Sequence, residues 1–285
     1  MNLRRGFIFS LATSICWALV LVITRFLLLN GENPLNLVVW LNTISLPLWI
    51  YLFSRHKNEY HRLSNKDKTL LIIIGILGSV GINYLQSLAL KNTPAVNFSF
   101  LYRTVVVFTI FFAWIFFKEK ITRGKLFIAI IIVFGSYLLT TGGQGLVFGI
   151  GDIYTLLMAA SAAFIANILI KHTVSKMHPD LSASAIAIVT LISLLILSVI
   201  TRQLSYPSGI ILISLAALIS FFQVRFRNRA YQVATASFVT MIVSFTPVFV
   251  SLLSFPLLGE RLDPIQLLGG GLIVSSGVLA EKLKI

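Results

Sequence analysis

Residues 94–125 read PAVNFSFLYRTVVVFTIFFAWIFFKEKITRGK, a long apolar run that ends in a cluster of basic side chains. The apolar part, 94–117, is close to the ~20 residues that a helix needs to cross ~30 Å of hydrocarbon. The basic side chains that follow are Lys118, Lys120, Arg123 and Lys125. A barrel strand would instead alternate over only ~10 residues, so this run predicts a membrane-spanning helix.

The same pattern recurs along the whole chain and predicts ten spans. The other nine are 6–28, 35–54, 69–90, 124–141, 151–171, 181–200, 208–228, 231–258 and 264–281. The composition agrees, because only 11% of the residues are charged, whereas a soluble domain has about 25%. We therefore predict an all-α membrane protein with ten transmembrane helices.

The basic residues predict how these spans are oriented. Of the 23 Lys and Arg, 18 lie on one side of the predicted spans, 3 lie on the other, and Arg25 and Arg103 lie inside spans. Cytoplasmic loops carry the excess of Lys and Arg, so both termini are predicted to be cytoplasmic, in the cell inner (plasma) membrane. The net charge of +14 is spread over short loops, which favours contact with anionic lipids rather than with nucleic acid.

The two halves of the chain repeat each other. Ala89–Thr141 and Ala230–Lys282 align without a gap at an offset of 141 residues, and the corner at Glu119 matches the corner at Glu260. Because each half has an odd number of spans, the second half must start on the opposite face, which predicts inverted repeats. Many secondary transporters have such repeats, with the substrate site at the midplane between them. The predicted units are a first five-helix repeat over 1–141, a Gly-rich connection over 142–150 and a second five-helix repeat over 151–285.

Several local motifs accompany this topology. They are Trp17, Ala89–Ala95, Pro247-Val248-Phe249, Gly259-Glu260-Arg261-Leu262, and Gly269 and Gly277 in the last helix. Together with the length and topology, they resemble the drug/metabolite transporter superfamily, specifically its ten-helix EamA-type members. The resemblance implies export or exchange of small metabolites, such as amino acids, through a central cavity. The chain departs from it at Lys118, where a glycine is expected, and at Val106, where a proline is expected.

Arg103 is the most informative candidate site residue. It lies near the centre of its span, where an Arg costs at least ~2.5 kcal/mol on insertion scales. Every Asp and Glu lies at a segment end or in a loop. A cation at this depth suits an anionic ligand such as a carboxylate or a phosphate. The alternative is a structural Arg bonded to backbone carbonyls or to polar side chains such as Asn83 or Gln86.

Other polar and aromatic side chains within the spans are candidates to line a wet cavity, although bonding between helices explains any one of them equally well. The predicted substrate-binding residues are Arg103, Trp17, Asn83, Tyr84, Tyr102, Asn167, Ser244 and Pro247. Pro247 is either a hinge or site element in the ninth span or a tolerated kink. The glycines of the last span are expected to allow close helix packing, for example against the fifth span.

Two further groups are assigned to the membrane surface. The arginines Arg225, Arg227 and Arg229 end the eighth predicted span, either as a positive-inside anchor or as a cytoplasmic vestibule for anions. The aromatic residues Trp40, Trp49, Tyr51 and Trp114 are interpreted mainly as interface aromatics.

The sequence also limits which metal, cofactor and nucleotide sites the protein can have. The lone Cys16 excludes a cysteine metal cluster, and the four histidines fall in predicted loops, so neither a metal nor a cofactor is expected. No ATP-binding glycine loop is present. We predict a secondary transporter for small organic metabolites that works by alternating access, as a monomer or a homodimer. The alternatives are a membrane-embedded enzyme, which needs clustered catalytic side chains in the core, and a channel or scaffold subunit.

Overall fold

The computed structural model describes residues 3–93, 98, 101–145, 149–258 and 263–282. Every regular element in this part of the chain is a helix. The helices are α1 Leu3–Leu29, α2 Pro34–Arg55, α3 Lys57–Arg62, α4 Asn65–Asn92, α5 Val105–Phe117, α6 Arg123–Thr141, α7 Ile150–Val174, α8 Pro179–Ile200, α9 Ile210–Val233, α10 Ala236–Val243, α11 Thr246–Leu258 and α12 Pro264–Lys282. Within the described residues, seven stretches are long and apolar enough to cross a membrane: α1, α2, α4, α7, α8, α9 and Ala236–Leu253. The protein is therefore an all-helical, multi-pass membrane protein.

The predicted all-α membrane fold is confirmed, whereas the count of ten spanning helices stays a prediction. The predicted span 208–228 ends too early, because α9 continues to Val233. The predicted span 94–117 is not one continuous helix, because a turn at Arg103 and Thr104 precedes α5. The predicted corner at Glu260 lies outside the described residues.

Two helices of equal length begin in the same way. Both α2 and α8 have 22 residues, and Pro34 and Pro179 are their first residues. Proline suits this position because its φ is already helical and its missing N–H would have no partner there. The side chains of Asn33 and His178 each accept a backbone N–H of the first turn. The matching starts and lengths make α2 and α8 counterparts in the two halves.

The glycine predicted to allow close packing does so between α6 and α12. A Cβ on Gly269 would lie 2.5 Å from the carbonyl oxygen of Gly135, and a Cβ on Gly135 would lie 2.9 Å from the carbonyl oxygen of Gly269. The two backbones therefore touch at this crossing. Small residues drive helix association in membranes because they let backbones approach.

Several of the other helix contacts come in matched pairs. α1 packs against α9 and α11, while α7 packs against α4 and α5. α2 and α8 pack against each other, and in addition α2 contacts α9 while α8 contacts α4. Exchanging α1 with α7, α2 with α8, α4 with α9 and α5 with α11 maps this set of contacts onto itself.

Candidate functional site

A cavity of about 220 Å³ lies inside the helix bundle. Six helices line it with residues close to the middle of their length. These residues are Trp17 in α1, Ser45 in α2, Gly78 in α4, Ala162 in α7, Thr190 in α8 and Ser220 in α9. The cavity therefore sits at the depth where a membrane is most apolar, and polar groups at that depth need partners or water.

Two helix breaks face this cavity. The first is the turn at Arg103 and Thr104 before α5, and the second is the turn at Ser244 and Phe245 between α10 and α11. Both Arg103 and Ser244 line the cavity. Irregular backbone at membrane depth is tolerated where it is buried in protein or lines a cavity, and discontinuous helices form the binding sites of many transporters.

The two breaks share two backbone hydrogen bonds at an offset of 141 residues. The N–H of Thr104 donates to the Leu101 carbonyl, as the N–H of Phe245 does to the Ile242 carbonyl, each at 3.1 Å. One turn later, Phe108 N–H bonds to the Thr104 carbonyl at 3.1 Å, and Phe249 N–H bonds to the Phe245 carbonyl at 3.3 Å. The breaks are therefore the same local structure built twice.

Proline accounts for only one of the two breaks. Pro247 has no N–H, so it leaves the Val243 carbonyl without its helical partner. The hydroxyl of Thr246 donates to that carbonyl at 2.7 Å. The first break has Val106 at the proline position, and there the Val106 N–H donates to the Arg103 carbonyl at 3.0 Å.

Arg103 is held between two aromatic rings. Its guanidinium carbon lies 5.7 Å from the centre of the Trp17 ring and 4.9 Å from the centre of the Tyr102 ring. The two rings meet edge to face with their centres 5.0 Å apart. Only 2% of Arg103 is exposed. Cation–π contacts of this kind are strongest where the cation is desolvated, so they fix the guanidinium at the cavity wall.

A second arginine lines the same cavity, although its place in the sequence predicts either a surface anchor or a cytoplasmic vestibule for anions. Arg227 lies inside α9, and its Nε is buried with no hydrogen-bond partner among the described residues. The same holds for the Thr24 hydroxyl and for Oδ1 of Asn228, which also belong to lining residues. Buried polar atoms without partners are rare in native structures, and here three of them surround one cavity.

The described lining residues carry an excess of positive charge. They include Arg103 and Arg227 and contain no Asp, Glu, Lys or His. A cavity wall of this composition attracts anions, because Coulomb interactions are strong where water is scarce.

A buried chain of hydrogen bonds joins three helices beside the cavity. The Tyr231 hydroxyl of α9 donates to Oδ1 of Asn167 in α7 at 2.5 Å. Nδ2 of Asn167 donates to the Thr109 hydroxyl of α5 at 2.7 Å, and that hydroxyl donates to the Val105 carbonyl at 2.7 Å. Every step is satisfied, which makes such a network rigid.

Wider helical turns place two asparagines at the cavity. Ala163–Leu169 in α7 and Ser79–Tyr84 in α4 are π-helical, and they supply Asn167 and Asn83 to the wall. Such π-segments occur mostly as single turns inside α-helices and are frequent at functional sites.

Six of the eight predicted substrate-binding residues line the cavity. These are Arg103, Trp17, Asn83, Tyr102, Asn167 and Ser244. Tyr84 and Pro247 do not belong to the described lining. Tyr84 packs against the apolar cluster of Leu35, Val38, Val39 and Leu194, and Pro247 is the second residue of α11.

Trp49 is not the interface aromatic that its place in the sequence predicts. It is 4% exposed and lines the cavity. Its ring packs on Phe221 of α9 with the ring centres 4.5 Å apart. A tryptophan near the end of a predicted span looks the same in sequence whether it faces lipid headgroups or the protein interior.

An ion pair closes α8 onto α9 next to Trp49. Asp180 accepts from Nε of Arg225 at 2.9 Å and from Nη2 at 2.7 Å. Arg229 lies 3.7 Å from the same carboxylate. Arg225 also lies 5.5 Å above the Phe221 ring. Bidentate Arg–carboxylate geometry is the strongest form of this pair, so Arg225 is not a free surface anchor.

Two histidines adjoin this ion pair. The rings of His56 and His178 stack with their centres 4.1 Å apart. Burial lowers the pKa of His178 below its ordinary value, and the neighbouring His56 lowers it further. Ligand atoms of His56, His178 and Asp180 lie within 4.8 Å of one another, but both Asp180 oxygens already accept from Arg225. This group therefore serves the contact between helices.

Comparison with known proteins identifies one family and one related fold. The model of the EamA-like transporter family matches residues 4–141 and again 149–280. A solved crystal structure of another protein has a TM-score of 0.74 and 16% identity, covering 95% of this chain and 96% of that one. At this identity the likeness concerns the fold alone. No curated protein sequence matches the chain significantly.

Proposed function

Because the chain belongs to the EamA-like transporter family, we propose that it is a secondary transporter that exports or exchanges small metabolites, such as amino acids or other small organic anions. The observation that carries this proposal is the pair of matching helix breaks that place Arg103 and Ser244 at one central cavity. A site between two repeats, formed by broken helices, is the arrangement that many alternating-access transporters have.

Inverted five-helix repeats are part of this proposal, and the cavity wall supports them. Three pairs of lining residues are 141 positions apart. They are Gln86 and Arg227, Ser87 and Asn228, and Arg103 and Ser244. Between α2 and α8 the offset is 145 residues, and three pairs at this offset also line the cavity. They are Leu41 and Ile186, Asn42 and Ala187, and Ser45 and Thr190. Ten spans would follow, with both termini in the cytoplasm and the protein in the inner membrane.

Two apolar clusters at opposite ends of α2 and α8 are the proposed gates. Trp49, Leu52, Ala183 and Phe221 form one cluster. Leu35, Val38, Val39 and Leu194 form the other. The 145-residue offset relates Val38 to Ala183 and Trp49 to Leu194, so the gates are equivalent in position. The charge bias of the loops places the Trp49 gate on the cytoplasmic side.

The gates differ in their chemistry. Arg225 and Asp180 form an ion pair beside the Trp49 gate. Their equivalents beside the other gate are Tyr84 and Leu35, which belong to an apolar contact. The Trp49 gate therefore carries an electrostatic latch that has no counterpart at the other gate among the residues that the structure describes.

Counterflow in liposomes tests the proposed function. Purified protein is reconstituted in vesicles loaded with one unlabelled metabolite, and uptake of the same labelled metabolite is measured over a panel of anions and amino acids. We expect transient accumulation of at least one small anion above the level in protein-free vesicles. A channel would equilibrate the label without accumulation, and an enzyme would convert it; either outcome contradicts the proposal.

A further inference from the structure

We propose that an anionic phospholipid binds in an apolar groove between α5 and α6, with its headgroup at the corner that joins these two helices. Three cations, Lys118, Lys120 and Arg123, define this corner, which we call the Lys118 corner. The site lies outside the central cavity, so the inference does not depend on what the protein transports.

The groove is open to the outside of the helix bundle and is apolar. It has a volume of about 560 Å³, and its lining includes Val107 and Phe111 of α5 and Leu126 and Ile130 of α6. These four side chains are exposed. Among the described lining residues, Tyr137 alone carries a polar side-chain atom. Such a surface suits the acyl chains of a bilayer, which are as apolar as leucine.

The groove is about as long as one leaflet of a bilayer is deep. Its lining on α6 runs from Leu126 to Tyr137, which spans about 16 Å at a rise of 1.5 Å per residue. Half of the hydrocarbon core of a bilayer is ~15 Å thick. An acyl chain that enters at the Lys118 corner can therefore follow the groove through its own leaflet.

The Lys118 corner stands at one end of this groove. Ile121, which follows Lys120 directly, lines the groove. Arg123 is the first residue of α6 and shares a helix face with the lining residues Leu126 and Ile130, which are three and seven positions further on. All three cations of the corner are exposed, so a headgroup at the membrane surface can reach them.

The charge of the Lys118 corner is not neutralised by the described part of the protein. Glu119 lies within the corner, but it pairs with Lys125 at 3.1 Å and accepts from the Ser237 hydroxyl at 2.7 Å. None of the three exposed cations forms an ion pair with a described residue. Because basic residues near the surface attract anionic lipids, a negatively charged headgroup is the complementary partner.

The same charges disfavour a second copy of the chain as the occupant. A twofold dimer places the same surface of both subunits against each other, and in a membrane its two Lys118 corners would lie at the same depth. Like charges at short distance repel each other. A lipid fills the apolar groove and neutralises the corner at once.

Competition between two lipids in native mass spectrometry tests the inference. The wild-type protein in detergent is titrated with equal amounts of phosphatidylglycerol and phosphatidylcholine that carry the same acyl chains. We expect the protein to bind phosphatidylglycerol about tenfold more tightly, because only its headgroup carries a net negative charge for the Lys118 corner.

A pair of charge variants tests the headgroup contact. Lys120→Gln combined with Arg123→Gln should lower the affinity for phosphatidylglycerol about tenfold and change that for phosphatidylcholine by less than about twofold. The matched control is Lys57→Gln combined with Arg62→Gln, which removes two exposed cations from α3, outside the groove. It should leave the preference for phosphatidylglycerol unchanged.

A second pair of variants tests the acyl-chain contact. Val133 is a half-buried lining residue, so Val133→Phe places extra volume in the groove. It should weaken phosphatidylglycerol binding about fourfold or more, as displacing a single buried methylene group would. The control is Ile211→Phe, which enlarges a side chain on α9 that is 82% exposed and lies outside the groove, and it should have no such effect.

Four results overturn the inference. They are equal affinity for the two lipids, an equal loss in the two charge variants, normal phosphatidylglycerol binding by Val133→Phe, and a lipid-free dimer that Val133→Phe dissociates, which would show a second copy in the groove. If a groove variant does not fold, the melting temperature of the wild-type protein decides, because phosphatidylglycerol should raise it more than phosphatidylcholine does at the same concentration.

Discussion

At the scale of single residues, Lys118 holds a backbone conformation that glycine adopts without strain. Its φ is +53°, and it ends α5. The left-handed conformation costs a residue with a Cβ roughly 1–2 kcal/mol, and EamA-type proteins are expected to have a glycine there. We therefore predict that Lys118→Gly raises the free energy of unfolding by about 1 kcal/mol, less the entropy that glycine adds to the unfolded chain.

Thermal denaturation in detergent measures this effect. Lys118→Ala is the control, because it removes the same charge but keeps a Cβ, and it should not raise the melting temperature. A melting temperature that rises equally in both variants would show that charge, rather than backbone strain, is responsible.

Residues were predictable from the sequence where a charge interrupts an apolar run. Arg103 is visible in this way, whereas Arg227 is not, because three arginines near the end of α9 look like a loop. The surroundings of these arginines are formed by tertiary contacts. Asp180, which is far away in sequence, neutralises Arg225. The 141-residue offset was the available signal, since it aligns Arg227 with Gln86 inside another span.

At the scale of helices, the crossing of α6 and α12 depends on two glycines. We predict that Gly269→Ala lowers the free energy of unfolding by about 1–3 kcal/mol, as overpacking does. The reason is that its Cβ would meet the backbone at Gly135 and Leu138 rather than a movable side chain. Gly271→Ala in the same helix is the control: a Cβ there meets nothing within 4 Å, so the better helix propensity of alanine should make it neutral or slightly stabilising.

These two variants are compared by their melting temperatures in the same detergent. Similar destabilisation by both would mean that α12 tolerates no side chain for reasons other than the crossing with α6.

Helices were easier to predict than their interruptions. Apolar length and basic corners predict where the chain crosses the membrane, because they reflect the thickness of the membrane and the orientation rule. The break at Pro247 has a visible cause. The break at Arg103 has no visible cause in the sequence, because Val106 stands at the position of the proline. The turn there forms through backbone hydrogen bonds that are seen only in the folded protein.

At the scale of the whole molecule, the Asp180–Arg225 latch should bias which side of the cavity opens. In a protein with Cys16→Ser, a single Leu52→Cys reports on the cytoplasmic gate and a single Val39→Cys reports on the opposite gate. We predict that Asp180→Asn speeds maleimide labelling at position 52 by at least about fivefold, because losing a charged hydrogen bond costs ~1–3 kcal/mol. Labelling at position 39 should be unchanged or slower.

Restoring the pair with reversed charges controls for a change in fold. Asp180→Arg combined with Arg225→Asp should return labelling at position 52 towards the rate of the parent protein. Equal acceleration at both positions would mean that the bundle has loosened and that the ion pair is structural rather than a latch.

The central claim is that Arg103 draws an anionic substrate into a cavity between two repeats, and transport by Arg103 variants tests it most directly. Counterflow of the preferred anion and the melting temperature are measured together on Arg103→Lys, Arg103→Gln and the control Arg55→Gln, whose arginine is exposed at the end of α2. We predict partial transport for Arg103→Lys, which keeps the charge but loses the guanidinium fork. Arg103→Gln should lose about tenfold or more while still folding, and the control should transport normally. Normal transport by Arg103→Gln, or a loss that follows only its unfolding, would contradict the claim and leave Arg103 a structural residue.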